Sequence, residues 1–389
     1  MSEQYVRKLQ GEIGHHIGRG KSILLLGPRQ TGKTTLLSAF PANLHLNLIR
    51  TDERIRYERD PSLLVREVDA LGLEKPLIFV DEVQLVPKLL DIAQFLIDEA
   101  KAQFLFSGSS ARKLRRQGGV NLLPGRVVSL RLDPLAISEV GRQELDPLLY
   151  YGSLPAIISQ QESRDKEVDL RSYVETYLTE EIRAEALTRD VGQFSRFLEV
   201  AGIESGKILN HSKIARDIGV SQKTILSYFE ILEDCLIVER IEPITESVSR
   251  KRLTRSAKYL FFDMGVRRVA AKEGIDVTPE RKGALLEQMV GLELIRAMRL
   301  NQANARLRFW RDPSGPEVDW VIEADRQFTP IEVKLTESPS HKDSRHLEVF
   351  LDEHPNSSTG YLITRSPRSV QISKRVLAIP WQDISKIVV

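Results

Sequence analysis

Gly27, Gly32, Lys33 and Thr34 stand at the spacing G-x-x-x-x-G-K-T within GPRQTGKTT. Residues spaced in this way let backbone N–H groups wrap a phosphate chain while an ammonium neutralises its outer oxygens and a hydroxyl meets a divalent cation. The expected phosphate cup is therefore Gly27, Pro28, Arg29, Gln30, Thr31, Gly32, Lys33, Thr34 and Thr35, with Lys33 on the β and γ oxygens and Thr34 on Mg²⁺. The aliphatic run Ser22 to Leu26 before the cup and a helix from Lys33 after it supply the strand–loop–helix setting that the motif requires.

A second buried run, Leu77 to Val80, ends in Asp81 and Glu82. Asp81 is placed to hold Mg²⁺ through its water shell, and Glu82 to polarise a water in line with a γ-phosphate. A third run, Phe104 to Phe106, leads into Ser107, Gly108 and Ser109. If its strand lies between the other two, Ser107 sits beside the γ-phosphate as a sensor hydroxyl. Transferring a phosphoryl group also calls for a positive charge on it. Arg126, at the start of a fifth strand in LPGRVVSLRL, is the first choice and Arg112 the second; either could instead be an ordinary surface charge.

These strings, GPRQTGKTT, LIFVDE, FLFSGSS and LPGR followed by YGSLPA, resemble the bacterial and archaeal AAA-type ATPases that carry an uncharacterised C-terminal domain. The resemblance runs along nearly the whole chain. It implies ATP use, an α/β fold whose parallel sheet has the order 5-1-4-3-2, and the additional-strand glutamate carried by Glu82. A separate second sensor arginine is not evident.

Another candidate site lies near the C-terminus, in FWRDPSGPEVDWVIEADRQFTPIEVKL. Strand side chains alternate, so Glu317 and Asp319 share one face and Val318, Trp320 and Ile322 the other. Glu332 and Lys334 likewise oppose Ile331, Val333 and Leu335. If the apolar faces stack on one core, two carboxylates and a lysine converge opposite, which is what a metal-dependent phosphodiesterase needs. Asp319 and Glu332 are the expected Mg²⁺ ligands, Glu287 on the preceding helix completes the shell, and Lys334 steadies developing charge or helps to activate water. EVD and EVK resemble the restriction-endonuclease-like PD-(D/E)xK fold, with Glu-Val-Asp in place of the leading Pro-Asp pair. An ordinary cross-strand Glu–Lys pair on a polar hairpin face reads the same way.

The elements that must position these residues divide the chain. At about 150 residues per domain, 389 residues make roughly two to three domains. We expect a P-loop ATPase core at 1–132, a helical lid or connector at 133–205 and a winged helix at 206–246. A basic linker at 247–280 and a nuclease-like α/β domain at 281–389 follow. In DLRSYVETYLTEEIRAEAL, Tyr173, Tyr177 and Ile182 recur near helical spacing. Ile214, Ala215 and Ile218 mark one face of a helix, Gly219 a tight turn, Ser221 the cap of a second helix, and Ile237 to Ile241 a wing strand. Gln222 and Lys223 could meet base edges, and Arg250, Lys251, Arg252, Arg255 and Lys258 could supply a basic surface for DNA. The same helix turns acidic at Glu230, Glu233 and Asp234, so nucleic-acid contact and a protein-contact role both stand.

Composition narrows the classes further. Fifty-six basic against 54 acidic residues give a net charge of +2, so any anionic partner must meet a local patch. The single cysteine, Cys235, rules out an intrachain disulfide and a cysteine-based zinc finger. The seven histidines show no ligand spacing. With no signal-peptide core and no apolar run near 18 residues, a cytoplasmic protein without a membrane is expected. The functional expectation is a Mg²⁺-dependent ATPase that drives or gates a C-terminal unit acting on nucleic acid. The alternative is a nucleotide switch whose C-terminal fold is an inactive protein-docking platform. Arg126 motivates a homo-oligomer.

Overall fold

In the computed structural model, which describes residues 5–110, 125–141, 143–178, 191–245, 256–312, 315–357 and 359–388, the near-continuous apolar runs form a buried sheet. Strands covered on both faces need such runs. They are β1 (Ser22–Leu26), β2 (Leu44–Asn47), β3 (Leu77–Asp81), β4 (Gln103–Gly108) and β5 (Val127–Arg131). All neighbours pair in parallel in the order β2-β3-β4-β1-β5, the expected order read from its other edge. β4 therefore lies between β1 and β3, the condition on which the placing of Ser107 depends. Side chains alternate between two apolar layers. Ile78, Val80, Phe104 and Phe106 pack with the helices Leu63–Ala70 and Lys88–Asp98, whereas Ile23, Leu25, Phe79 and Leu105 pack with the helix Leu9–Gly18.

The middle of the chain builds one core across the expected boundaries at 205 and 246. Helices Ser163–Ser172, Val191–Ile203, His211–Ile218 and Gln222–Asp234 share it, and Leu170, Phe197, Ile218, Phe229, Phe261 and Phe262 all belong to it. As their spacing predicts, Ile214, Ala215 and Ile218 are buried. Gly219 takes φ 82°, and Ser221 accepts the Thr224 N–H at 3.1 Å. Ile182 lies outside the described residues.

One expectation about this region needs correction. The segment 247–280 is not merely a basic linker, because the apolar string Tyr259 to Phe262 forms most of β7 (Lys258–Phe261) and leads into the helix Met264–Ala270. Of the basic run, Lys258 is buried, while Arg250, Lys251, Arg252 and Arg255 lie outside the described residues. The residues Val238 to Ile241 of the expected wing strand fall in the next strand. β6 (Val238–Pro243) pairs antiparallel with β7 and parallel with β8 (Ala305–Arg311), with Glu242 opposite Arg308.

That pairing extends a second sheet whose remaining members are β9 (Glu317–Ala324), β10 (Gln327–Val333), β11 (Gly360–Thr364), β12 (Val370–Gln371) and β13 (Val376–Pro380). Among the described residues it has eight strands, ordered β12-β13-β11-β10-β9-β8-β6-β7. Both faces are covered, which corrects the picture of one apolar and one open face. The long helix Pro279–Leu300 packs on Trp320, Ile322, Ile331 and Val333, and the helix Arg345–Glu353 packs with Val318, Val321 and Phe328. Val318 thus parts company with Trp320. The β8–β9 register shifts between Arg308 and Trp310, beside Val318, and such an irregularity re-aims side chains.

Candidate active site

The parallel register brings the predicted loop, acids and serine to one edge of the first sheet. Leu26 pairs with Gly108 across β1 and β4, and Val80 with Phe106 across β3 and β4, so the carboxyl ends of three adjacent strands open together. This is where parallel α/β sheets hold ligands. The loop is held tightly from beneath. A Cβ on Gly27 would stand 2.3 Å from the Leu132 carbonyl oxygen, so only glycine fits there. Gln30 and Gly32 adopt φ 60° and 92°, turning the chain into the helix Lys33–Leu37.

Polar contacts join the members of the site. Thr34 Oγ1 donates to Asp81, 3.1 Å from Oδ1 and 3.0 Å from Oδ2, and Ser107 Oγ also donates to Oδ1. Ser107 in turn accepts the Glu82 N–H at 2.8 Å. Lys33 Nζ folds back onto the carbonyls of Gly27 and Pro28, at 2.9 and 3.0 Å, and stands 3.9 Å from Glu82 Oε1. Burial pushes the Lys33 ammonium below the usual lysine range, against the opposing pull of Glu82 and Asp81. An incoming phosphate oxygen would replace two weak carbonyl partners with a full negative charge. Thr35, the residue after Thr34, is exposed and borders a cavity of about 540 Å³ shared with Arg7, Thr31, Gly32, Leu135 and Pro155.

Three residues of this site were missed in the sequence. Arg7 donates to the Thr31 carbonyl at 2.8 Å and the Asp133 carbonyl at 2.7 Å, tying the loop to the chain leaving β5. Gln84 and Ser109 both donate to Glu82 Oε2, the latter at 2.9 Å, and so fix the orientation of that carboxylate. Ser109 lies inside FLFSGSS and Gln84 two residues beyond LIFVDE, but nothing in their spacing says that they turn toward Glu82. Arg7 precedes the helix Leu9–Gly18 and carried no signal.

Arg126 does not join this cluster within the chain. Ser22 pairs with Val127, so Arg126 precedes β5 at the opposite edge of the sheet, about five residues or roughly 17 Å below the loop. There it pairs with Asp98, Nε to Oδ1 at 2.6 Å. Arg112 lies outside the described residues.

Mg²⁺ suits the loop site. A hard cation of this kind keeps most of its waters and takes one or two protein oxygens besides phosphate, and the facing Thr34 hydroxyl and Asp81 carboxylate are such a set.

The C-terminal residues also converge. Lys258 Nζ stands 2.9 Å from Glu287 Oε1 and lies over the rings of Trp320 at 4.8 Å and Phe309 at 5.1 Å. Burial opposes its charge, but Glu287 first and then Asp319 outweigh that and raise its pKa. Lys334 Nζ holds Glu332 Oε1 at 2.6 Å. Asp319 Oδ2 accepts the Val333 N–H at 2.8 Å, and burial, then the charges of Glu332 and Glu287, push its carboxyl well above the usual range. Among the described residues no group of three or more His, Cys, Asp or Glu is placed to hold a metal ion. The carboxylates of Glu287, Asp319 and Glu332 thus share one cluster with the ammonium groups of Lys258 and Lys334. Lys258 had been assigned to the basic DNA surface, and its position in the sequence gave no sign of this inward role.

Comparisons with known proteins follow the same division. Residues 19–141 match the family model described as an AAA domain. Residues 142–276 match a domain of unknown function, DUF8612, and residues 282–384 another, DUF4143. The uncharacterised proteins Rv2008c of Mycobacterium tuberculosis and Mb2031c of Mycobacterium bovis are each 26% identical over 344 residues, covering 86% of this chain and 75% of theirs. Among solved structures, the Orc1 protein of Aeropyrum pernix in complex with DNA aligns with 70% of this chain and 94% of its own at TM-score 0.30 and 12% identity. Cdc6p of Pyrobaculum aerophilum aligns with 72% of this chain and 92% of its own at TM-score 0.27 and 13% identity. Those superpositions are too loose to assign a role. The N-terminal sheet and its loop form an AAA-type P-loop domain, and no helix among the described residues is long and apolar enough to cross a membrane.

Proposed function

We propose that the chain is a Mg²⁺-dependent ATPase whose nucleotide state acts, through the long helix Pro279–Leu300, on a C-terminal unit that serves as a docking platform rather than a metal-dependent nuclease. The observation that carries the ATPase reading is the single cluster formed by the loop, Thr34, Asp81, Glu82 and Ser107 at one sheet edge. Thr34 and Asp81 are the proposed holders of Mg²⁺, which when bound neutralises charge on the phosphate oxygens. The cavity beside Thr31 and Arg7 has the size and position to take the rest of the nucleotide.

In this reading Glu82, aimed by Gln84 and Ser109, accepts a proton from water as the water oxygen bonds to the γ-phosphorus. The bond from that phosphorus to the β,γ-bridging oxygen breaks, its electron pair leaves on ADP, and the proton passes to solvent or the released phosphate. Lys33 and Ser107 sit beside the outer oxygens. Arg126 is proposed to serve only a neighbouring copy in a homo-oligomer, because its own loop is out of reach.

A chain of polar contacts supports transmission. Arg7 links Thr31 to Asp133, and Arg299 of the long helix reaches Asp133 Oδ1 at 2.8 Å and Glu239 Oε2 of β6 at 2.8 Å. Arg296 on the same helix donates to the carbonyls of Leu135 at 3.2 Å and Phe262 at 2.9 Å. The helix pair with its capped second member and paired β6 supports a winged-helix reading of the middle unit. For the C-terminal unit, the lysine-filled carboxylate cluster favours a platform.

Two assays on one preparation test these halves. Phosphate release from ATP is expected to require Mg²⁺. Incubation with plasmid, single-stranded DNA or RNA in Mg²⁺ or Mn²⁺ is expected to give no cleavage above that of Asp319→Ala. Mg²⁺-dependent cleavage lost in Asp319→Ala would overturn the platform and restore the nuclease reading.

A further inference from the structure

The second sheet parts between two neighbouring strands. β6 pairs with β7 along Val238–Ile241, but among the described residues it pairs with β8 only at Glu242 and Pro243. β8 pairs with β9 from Ala305 onward, so before Glu242 and Arg308 the strands β6 and β8 run side by side without a ladder. A cleft of about 600 Å³ opens at this wedge, lined by Glu239 to Glu242 of β6, Ala305 to Arg308 of β8, and Ile295 and Met298 of the long helix. Alternation fixes which backbone groups face it. The Phe262 N–H donates to the Ile237 carbonyl at 2.9 Å, so Ile237, Glu239 and Ile241 turn their backbone groups toward β7, and Arg240 turns its N–H and C=O the other way. The Ile244 N–H donates to the Phe309 carbonyl at 2.8 Å, which by the same rule turns the Leu307 N–H toward β6. Two strand edges therefore face each other across the wedge.

The acids around the wedge are already engaged. Glu239 is held by Arg131 and, at 2.8 Å, by Arg299, while Arg308 holds Glu242 at 2.7 Å and Glu323 at 2.9 Å. Glu233, whose carboxyl burial raises above its usual range, accepts the Tyr259 hydroxyl and feels Arg240. Two exposed guanidinium groups are left over. Arg240 comes no closer than 3.7 Å to Glu242, and Arg306 has no hydrogen bond or ion pair among the described residues, although it lies opposite Glu323 across β8 and β9. The parallel register that sets Glu242 opposite Arg308, carried back two residues, sets Arg240 opposite Arg306. Like charges so placed are destabilising until an anion lies between them.

We propose that this wedge is the docking site for an extended acidic segment of a partner protein, whose backbone pairs with Arg240 and Leu307 and whose carboxylates meet Arg240 and Arg306. The idea rests on the platform reading and names the partner's chemistry. Segments that add to a strand edge take affinity from main-chain bonds and selectivity from alternate side chains. Facing strand edges favour polypeptide over nucleic acid, because a phosphodiester chain has no amide groups to offer them, and the acids of the cleft oppose a continuous run of phosphates. One wall, Glu239 with Arg299, also ends the contacts that lead through Asp133 and Arg7 to the phosphate loop, so the segment sits where, in that reading, the nucleotide state arrives.

The probe is a short, end-capped fluorescent peptide of alternating Glu and Thr, titrated into the full chain and followed by anisotropy. It is compared with a peptide carrying Lys for Glu, with the acidic peptide N-methylated at alternate amides, which keeps the charge but blocks strand pairing, and with single-stranded DNA of similar charge. Wild type is expected to bind the acidic peptide with Kd below about 1 mM, and the Lys and N-methylated peptides at least about tenfold more weakly. Arg306→Glu, first checked for an unchanged thermal transition, is expected to weaken the acidic peptide by about tenfold or more, with Arg306→Lys recovering part of the loss. Hydrogen exchange over the segments 238–241 and 305–308 should slow when the peptide is bound. Absence of binding at millimolar peptide overturns the proposal, as does equal binding of the N-methylated peptide or equal binding by Arg306→Glu. Tighter binding of the DNA than of the acidic peptide would make nucleic acid the occupant and overturn it too. None of these outcomes alters the plasmid cleavage assay, by which the platform reading stands or falls separately.

Discussion

Replacing Glu82 with glutamine is expected to lower phosphate release by roughly 10²- to 10⁴-fold while ATP still binds, because the substitution keeps the shape but removes the proton acceptor. The geometry makes this a sharp expectation. Glu82 Oε2 accepts from Ser109 at 2.9 Å and from Gln84, so its orientation is set by two neighbours rather than by solvent, and a glutamine carbonyl can accept the same bonds. Phosphate release under saturating ATP, paired with calorimetry, separates the two effects. Turnover within about threefold of wild type would remove Glu82 as the base, since a group that takes the proton in the transition state lowers kcat when it is lost.

Lys258→Ala is expected to cost about 3–5 kcal/mol in the unfolding transition of the C-terminal unit, the usual penalty for stripping a buried charge of its partner. Lys258 is 9% exposed, with Glu287 at 2.9 Å and two aromatic rings against the ammonium. Its loss strands Glu287 next to Asp319, whose carboxyl already suffers from burial and from neighbouring acids. Adding Glu287→Gln to Lys258→Ala should recover part of the loss, because the two changes act on one pair. Chemical denaturation of the three variants measures this. A loss below about 1 kcal/mol would mean that water screens the pair as it does at a surface, and the idea of a filled cation site would fall.

The N-terminal half of this account was legible in the sequence because its signals are local. GPRQTGKTT marks the loop by its spacing, and the unbroken apolar runs mark candidate buried strands, while the strand order that sets Ser107 between Thr34 and Asp81 was implied by the family resemblance. The C-terminal half depended on contacts between distant residues. Alternation along Glu317 to Ile322 cannot reveal a helix on the second face or a register shift beside Val318. Lys258 sat at the end of a basic run, and only the pairing of β7 with β6 carries it into the carboxylate cluster. Tyr173 and Tyr177 read as ordinary helical residues, since a π-helical turn and a contact with Arg29 across about 145 positions leave no periodic trace.

Calorimetry of the intact chain with a non-hydrolysable ATP analogue and Mg²⁺, alongside Lys33→Ala, tests the central claim most directly. Wild type should bind one nucleotide per chain. Lys33→Ala should bind at least about tenfold more weakly, because a charge-assisted contact worth about 1.5–3 kcal/mol is gone. Absence of heat from the wild-type chain at millimolar analogue, or equal binding by the two proteins, would contradict the phosphate loop and everything built on it.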